Sequence, residues 1–297
     1  MGRYPYPPFD SVSHSMPLHH TTLGRGAPGL IALHGGLGWD HASLRPWLDP
    51  LADHASLTYA DLAGCGHSPA PDDWSTVTHA TWADDVEALR RHLHAERGGH
   101  DPAILFGHSY GGVIALEVAR RHPEHVGGLI LCGTVSTGTH LAAAAERAFA
   151  RAEGRTHEVL AAALSGPPQS DAEFAALFPD LLPLYVHDPT AHDLRAYAER
   201  MTLRAAPLRR TFYDLLAGYD AREQLHAVGV PTLVLAGRHD WIAPPEESAA
   251  DFLAGLAGAE GHVFEASGHF PFMEEPDAFV AVVRDWLAAH VPTHASV

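Results

Sequence analysis

Five residues constrain this chain more than any others. Gly107-His108-Ser109-Tyr110-Gly111 directly follow the apolar run Ala103-Ile104-Leu105-Phe106, and they precede a helical pattern that continues to Arg121, with Pro123 closing it. A bare G-x-S-x-G also arises as a glycine-rich turn with an incidental serine. Between a strand and a helix it predicts an elbow that holds Ser109 in a strained conformation, its Oγ exposed at the C-terminal edge of a sheet. The flanking glycines allow strand and helix to approach closely.

The surrounding sequence supplies the sheet that such an elbow needs. Short apolar runs alternate with amphipathic helical patterns, which predicts a mostly parallel sheet covered on both faces. Leu30-Ile31-Ala32-Leu33, Leu57-Thr58-Tyr59-Ala60, Leu129 to Cys132, and Pro231 to Ala236 read as strands, with a weaker one at His262-Val263-Phe264. Trp82, Val86, Leu89 and Leu93 share one face of a helix, as do Phe279, Val283, Trp286 and Leu287 of a last helix starting near Pro276. From Thr137 to Leu225 the rhythm changes to Ala-rich helical sequence broken by Pro167-Pro168, Pro179, Pro183, Pro189 and Pro207. The expectation is an α/β core formed by 1–136 and 226–297, carrying a helical cap inserted at 137–225.

Composition removes several function classes. A chain of 297 residues with 46% hydrophobic and 19% charged residues can bury a full core. A net charge of −17, with no lysine at all, leaves little to grip a phosphate backbone, so nucleic acid is not an expected partner. The glycine-rich segments also lack a Walker lysine. No stretch approaches the roughly twenty apolar residues of a membrane helix, and Met1–Asp10, rich in Pro and Tyr, lacks the apolar centre of a signal peptide. Cys65 and Cys132 are too few for a disulfide framework and fit a reducing compartment. These features predict a cytoplasmic protein with a small-molecule or short-peptide substrate, and no membrane partner.

A serine hydroxyl becomes a nucleophile only with a base that a third group orients. On this kind of sheet the chain order is Ser, acid, His, each after a strand. Asp240 follows the strand ending at Ala236 through Gly237-Arg238-His239 and is the expected acid; Asp251 and Asp220 follow no strand end. Among 24 histidines, His269 in Ser267-Gly268-His269-Phe270 is singled out by its place between the last strand and the closing helix. The loop His34-Gly35-Gly36-Leu37-Gly38 follows an early strand, and the backbone amides of Gly36 and Tyr110 are the expected oxyanion donors. No metal or other cofactor is expected: His19-His20 and His92-x-His94 are the closest histidine pairs, and neither has the i, i+4 spacing of a helical zinc site.

These residues resemble the proline iminopeptidase-like branch of the α/β-hydrolases. His34 to Gly38 is similar to that family's HGGPG, with Leu37 in place of proline. Asp61-Leu62-Ala63-Gly64-Cys65-Gly66-His67-Ser68 resembles its D-x-x-G-x-G-x-S turn, Asp85 to Arg90 its next helix, and Gly107 to Gly112 its GxSxGG. Pro231–Asp240 and Gly268-His269 resemble the acid and base segments. The resemblance implies amide or ester cleavage through an acyl-enzyme, and in the peptidases release of small N-terminal residues such as proline. Gly35, Leu37 and Trp241 are the candidate substrate contacts. Those peptidases hold the substrate amine with glutamates, in certain members one directly after the catalytic aspartate. Trp241 stands there in this chain, and the cap offers Asp214, Glu199 and Glu223. Phe270, Phe272 and Met273 beside His269 fit either an apolar pocket or plain core packing.

Three functions follow from the sequence. The first is an aminopeptidase or amidase, acting on a peptide or a small aminoacylated metabolite. The second is an esterase or lactonase with the same machinery, and the third a non-hydrolytic ligand-binding protein of the same fold.

Overall fold

The computed structural model describes residues 3–4, 18–36 and 38–290, so Leu37 and nearly all of Met1–Asp10 lie outside the described residues. Seven strands form the sheet: β1 (His20–Leu23), β2 (Gly29–Leu33), β3 (Ser56–Ala60), β4 (Ala103–His108), β5 (Val126–Cys132), β6 (Thr232–Gly237) and β7 (Glu260–Phe264). Their spatial order is β1-β3-β2-β4-β5-β6-β7, with β1 antiparallel to β3 and every other pairing parallel. The chain thus starts near one edge, steps to the middle, and winds outward through β4, the strand that carries the elbow.

The central strands read as continuous apolar runs because both faces are covered. Alternate residues divide between two cores. Ile31, Leu33, Leu105, Leu129 and Leu131 pack with helices α1 (His79–Arg97) and α2 (Tyr110–Arg121). Leu30, Ala32, Ile104, Phe106 and Ile130 pack on the opposite face with Phe279, Val283, Trp286 and Leu287 of the C-terminal helix, Pro276–His290. Full burial of each Leu, Ile, Val or Phe side chain among them contributes about 1.5–3 kcal/mol. α1 begins with a capping box, in which Thr78 and Thr81 each satisfy the other's backbone N–H.

The strand His20–Leu23 was not legible in the sequence. Its residues are half-buried and mostly polar, and an edge strand pairs through its backbone without needing an apolar run.

Between β5 and β6 the described chain contains no strand. It forms α3 (Leu141–Arg151), α4 (Gly154–Ser165), α5 (Asp171–Leu181), α6 (Leu194–Glu199) and α7 (Ala205–Leu208), joined by short helical turns. A bridge between Thr137 and Asp220, with Ala221 N–H donating to the Ser136 carbonyl at 2.9 Å, brings the two ends of this stretch together. After β6 come α8 (Ala250–Gly255) and α9 (Pro271–Glu274), and α10 is the C-terminal helix already named. No helix of the described residues is long and apolar enough to cross a membrane.

Candidate active site

Ser109 has φ 52° and ψ −122°, the one non-glycine residue with positive φ among the described residues. Such a conformation costs on the order of 1–3 kcal/mol and persists only where its surroundings enforce it. Here Ser109 N–H donates to the Cys132 carbonyl of β5 at 2.8 Å, and the Ser109 carbonyl accepts from Gly112 N–H at 2.9 Å. A Cβ at Gly107 would stand 2.5 Å from the carbonyl oxygen of Gly111, so the turn can be this tight only without side chains there. The strained elbow expected from the sequence is therefore present.

Asp240 and His269 meet at the same end of the sheet. Asp240 Oδ2 lies 2.7 Å from His269 Nδ1, while Asp240 Oδ1 accepts Ile242 N–H at 2.8 Å and Ala243 N–H at 3.2 Å. The carboxylate is thus fixed from both sides, and with Nδ1 donating to it, Nε2 is left as the basic nitrogen of the ring. His108 ties the base to the elbow: its Nε2–H donates to the His269 carbonyl at 2.9 Å, and the two rings lie 4.8 Å apart. Burial pushes the His108 imidazole well below the usual histidine range, so it acts as a neutral strut. That role is not legible in the motif, whose G-x-S-x-G pattern leaves the position of His108 unspecified.

Solvent exposure differs from expectation. The elbow was expected at an exposed sheet edge, but Asp240 and His269 are 3% and 1% exposed and Ser109 is half-buried. The helical stretch between β5 and β6 covers them. Tyr185 lies over the base with its ring edge-on to His269 at 5.6 Å, and its carbonyl accepts His269 N–H at 2.6 Å.

Gly36 has φ +61° and lines the same cavity as Ser109 and Tyr110. Its loop is held from behind: His34 Nε2 accepts Leu62 N–H at 3.1 Å, and His34 Nδ1–H donates to the Gly35 carbonyl at 2.9 Å. Gly35 itself does not line the cavity. It is buried against the elbow, where a Cβ would stand 2.8 Å from Ser109 Cβ, so close packing accounts for a glycine at this position. Leu37 lies outside the described residues.

The cavity over Ser109 has a volume of about 190 Å³. Its floor is Gly36, Ser109, Tyr110 and Val113, and its roof includes Leu160, Phe174, Phe178 and Tyr213. Trp241 lines it, as expected, with its ring edge-on to Tyr185 at 5.6 Å. No described residue lining it carries a charge. Asp214 instead faces a separate cleft and pairs with Arg210 at 3.2 Å, while Glu199 and Glu223 are exposed. Phe270, Phe272 and Met273 belong to the core under the sheet, not to the cavity.

Among the described residues, His19, His41 and Asp61 form a group with potential ligand atoms within 4.8 Å of one another. Neither sequence-adjacent histidine pair does so. His41 Nδ1–H donates to Asp61 Oδ1 at 2.7 Å, and Asp61 Oδ2 accepts His67 N–H at 3.0 Å. Burial alone would raise the Asp61 carboxyl, but these donors and the nearby histidines hold it at about 2. The group thus has a structural account in closing the 61–68 turn.

The family model for the alpha/beta hydrolase fold matches residues 28–276. A proline iminopeptidase from Lactobacillus helveticus is 30% identical over 283 residues, spanning 89% of this chain and 90% of the relative. Among solved structures, a thermophilic esterase from Thermogutta terrifontis is 26% identical with a TM-score of 0.71, covering 92% of this chain and 94% of that one. A proline iminopeptidase from Mycobacterium smegmatis is 25% identical with a TM-score of 0.71 and the same coverage.

Proposed function

The chain belongs to the alpha/beta hydrolase fold family and is proline iminopeptidase-like in sequence, and from that premise we propose that it is a serine hydrolase for neutral substrates with an apolar acyl group. Ser109 Oγ attacks the substrate carbonyl as Nε2 of His269 takes its proton, and Asp240 holds the imidazolium that forms. The Gly36 and Tyr110 amides receive the oxyanion, where one donor is worth roughly two to three decades in rate. The leaving group takes the proton from His269, and water releases the acyl group by the same steps in reverse. We take the segment 137–225 as the cap that roofs this reaction and excludes water from it.

One observation carries the choice of substrate: among the described residues, no carboxylate lines the cavity over Ser109. A free ammonium group entering an apolar cavity without a partner loses several kcal/mol of hydration. At about 4 kcal/mol, discrimination against it reaches roughly a thousandfold. The cavity exceeds the roughly 150 Å³ that holds benzene in an engineered core, so a single ring or a medium-length chain fits it. The aminopeptidase reading is second, favoured by the activity named for the Lactobacillus helveticus relative. Both cysteines are free and buried, which suits the reducing compartment we assign to it.

The test is a matched panel of p-nitrophenyl esters and of aryl amides of Pro, Ala and Gly, with Ser109→Ala and His269→Ala as controls. Turnover should favour apolar neutral esters by at least a hundredfold and vanish in both variants. Preference for a free-amine amide would reverse the substrate assignment, and more than about a hundredth of the activity surviving in either variant would reject the nucleophile or the base.

A further inference from the structure

Three backbone segments converge beside His269, and one side chain outside the Ser-His-Asp set joins two of them. Glu274, the last residue of α9, accepts His187 N–H through Oε1 at 2.5 Å and Gly268 N–H through Oε2 at 2.7 Å. His187 belongs to a strap of the cap, residues 185–187, and Gly268 directly precedes the base. The same strap supplies the Tyr185 carbonyl that accepts His269 N–H and the Tyr185 ring that stacks on Phe270 at 5.6 Å and 10°. Gly268 shows how tightly strap and loop are pressed together. A Cβ there would stand 2.6 Å from the Tyr185 carbonyl oxygen and 3.0 Å from the Val186 carbonyl carbon. On the far side the His187 ring stacks on His239 at 3.8 Å, one residue before Asp240.

We propose, resting on the reading of Ser109 as nucleophile, that Glu274 is a positioning residue whose carboxylate fastens the cap strap 185–187 to the base loop and so fixes His269 for proton transfer.

The chemistry of the contact requires a carboxylate. Two N–H donors approach from two directions, one at each oxygen, and an ionised carboxyl offers both a strong acceptor. An amide turns its NH2 toward one of them, and a protonated carboxyl meets it only with the weakly accepting oxygen of its O–H, so one backbone N–H loses most of its hydrogen bond. The strap then loses its hold on one side, and with it the Tyr185 carbonyl on the His269 amide. Burial lifts the Glu274 carboxyl to about 7, although the His187, Gly268, Asp188 and Phe270 amides pull it down. The ionisable groups around it are His187 on the strap and Asp188 just after it, His239 with Arg151 beyond them, Glu275 next in the chain, and His269 itself.

The experiment measures the rate at which a fluorophosphonate labels Ser109, together with ester turnover, in the full-length wild type, Glu274→Gln and Gly268→Ala. At pH 8 Glu274→Gln should label at least tenfold more slowly than wild type, with KM changed less than threefold. At pH 5.5, where the wild-type carboxyl is itself protonated, the gap should narrow severalfold. A wild type that does not label would reject the serine hydrolase reading before any variant is compared. A wild type that labels, with Glu274→Gln equally fast at pH 8, would reject the positioning role alone. A loss of the same size at both pH values would also reject it, because that is the signature of general loosening. Should Glu274→Gln fail to fold, Gly268→Ala decides: its Cβ displaces the strap and leaves the carboxylate intact, so it should slow labelling likewise, and a wild-type rate overturns the proposal.

Discussion

Replacing Asp240 by asparagine isolates the orientation of the base from its packing. The two side chains have the same shape, and Asp240 is only 3% exposed, so the variant should fold and keep its contacts. What changes is the donor pattern. Oδ1 faces the Ile242 and Ala243 amides at 2.8 and 3.2 Å, and Oδ2 faces His269 Nδ1 at 2.7 Å. If asparagine turns its carbonyl to the two amides, its NH2 points at Nδ1. The ring must then carry its proton on Nε2 and cannot take one from Ser109. The other orientation keeps the working tautomer but sets the NH2 against two backbone donors, each unsatisfied group costing about 1–3 kcal/mol. At about 2 kcal/mol in total, the competent form is a few per cent of the population. The negative charge that stabilises the imidazolium is lost as well, and together the two effects bring the expected fall in kcat to about 10⁴, near 5.5 kcal/mol. KM should hardly move, because Asp240 does not line the cavity. Stopped-flow and steady-state hydrolysis of an apolar p-nitrophenyl ester provide the assay. An Asp240→Asn enzyme with a normal melting curve and more than a tenth of wild-type kcat would refute the tautomer argument.

Other perturbations separate strain, oxyanion binding and loop electrostatics. Ser109→Gly and Ser109→Ala should both be inactive, but the glycine variant relieves the φ of 52° and should melt higher by roughly 2 °C, about 1 kcal/mol; equal melting points would argue against stored strain. Gly36→Ala places a Cβ against the Trp39 ring at a φ of +61°, so kcat should drop by about two decades with KM little changed; full activity would remove Gly36 from the oxyanion site. The Asp61 carboxyl, near 3.8 in the unfolded chain and about 2 when folded, contributes about 2 kcal/mol that is complete above pH 4 and fades as pH falls through 2. The stability gap between wild type and Asp61→Asn, measured by urea unfolding, should therefore shrink from pH 5 to pH 2.5. A gap independent of pH would show that the hydrogen bonds matter and the charge does not.

The local grammar of this chain was enough to place its central strands and its elbow, and to single out Ser109, Asp240 and His269 as candidates in that order. Those features depend on residues adjacent in sequence: an apolar run too short for a helix, a glycine on each side of a serine, an acid three residues beyond a strand end. The His34–Gly38 loop followed from the same logic, because an elbow requires amide donors nearby. The first edge strand escaped notice, since backbone pairing at an edge leaves little mark on side-chain pattern.

Tertiary structure alone decided what surrounds the serine. The helices between β5 and β6 each have an apolar face, but nothing in a helical period says which partner that face will meet. Packing turned Leu160, Phe174 and Phe178 toward Ser109, sent Phe270 and Phe272 into the core, and left Asp214 in another cleft. Packing likewise closed the contact between His108 and the His269 carbonyl, 161 positions apart, and set Glu274 between strap and base loop. Such contacts form only when distant segments are brought together by burial, so they are fixed by shape and area over the whole molecule. The sequence alone marked out the candidate reaction centre through short-range geometry, and the fold decided through long-range packing that this centre lies beneath an apolar roof.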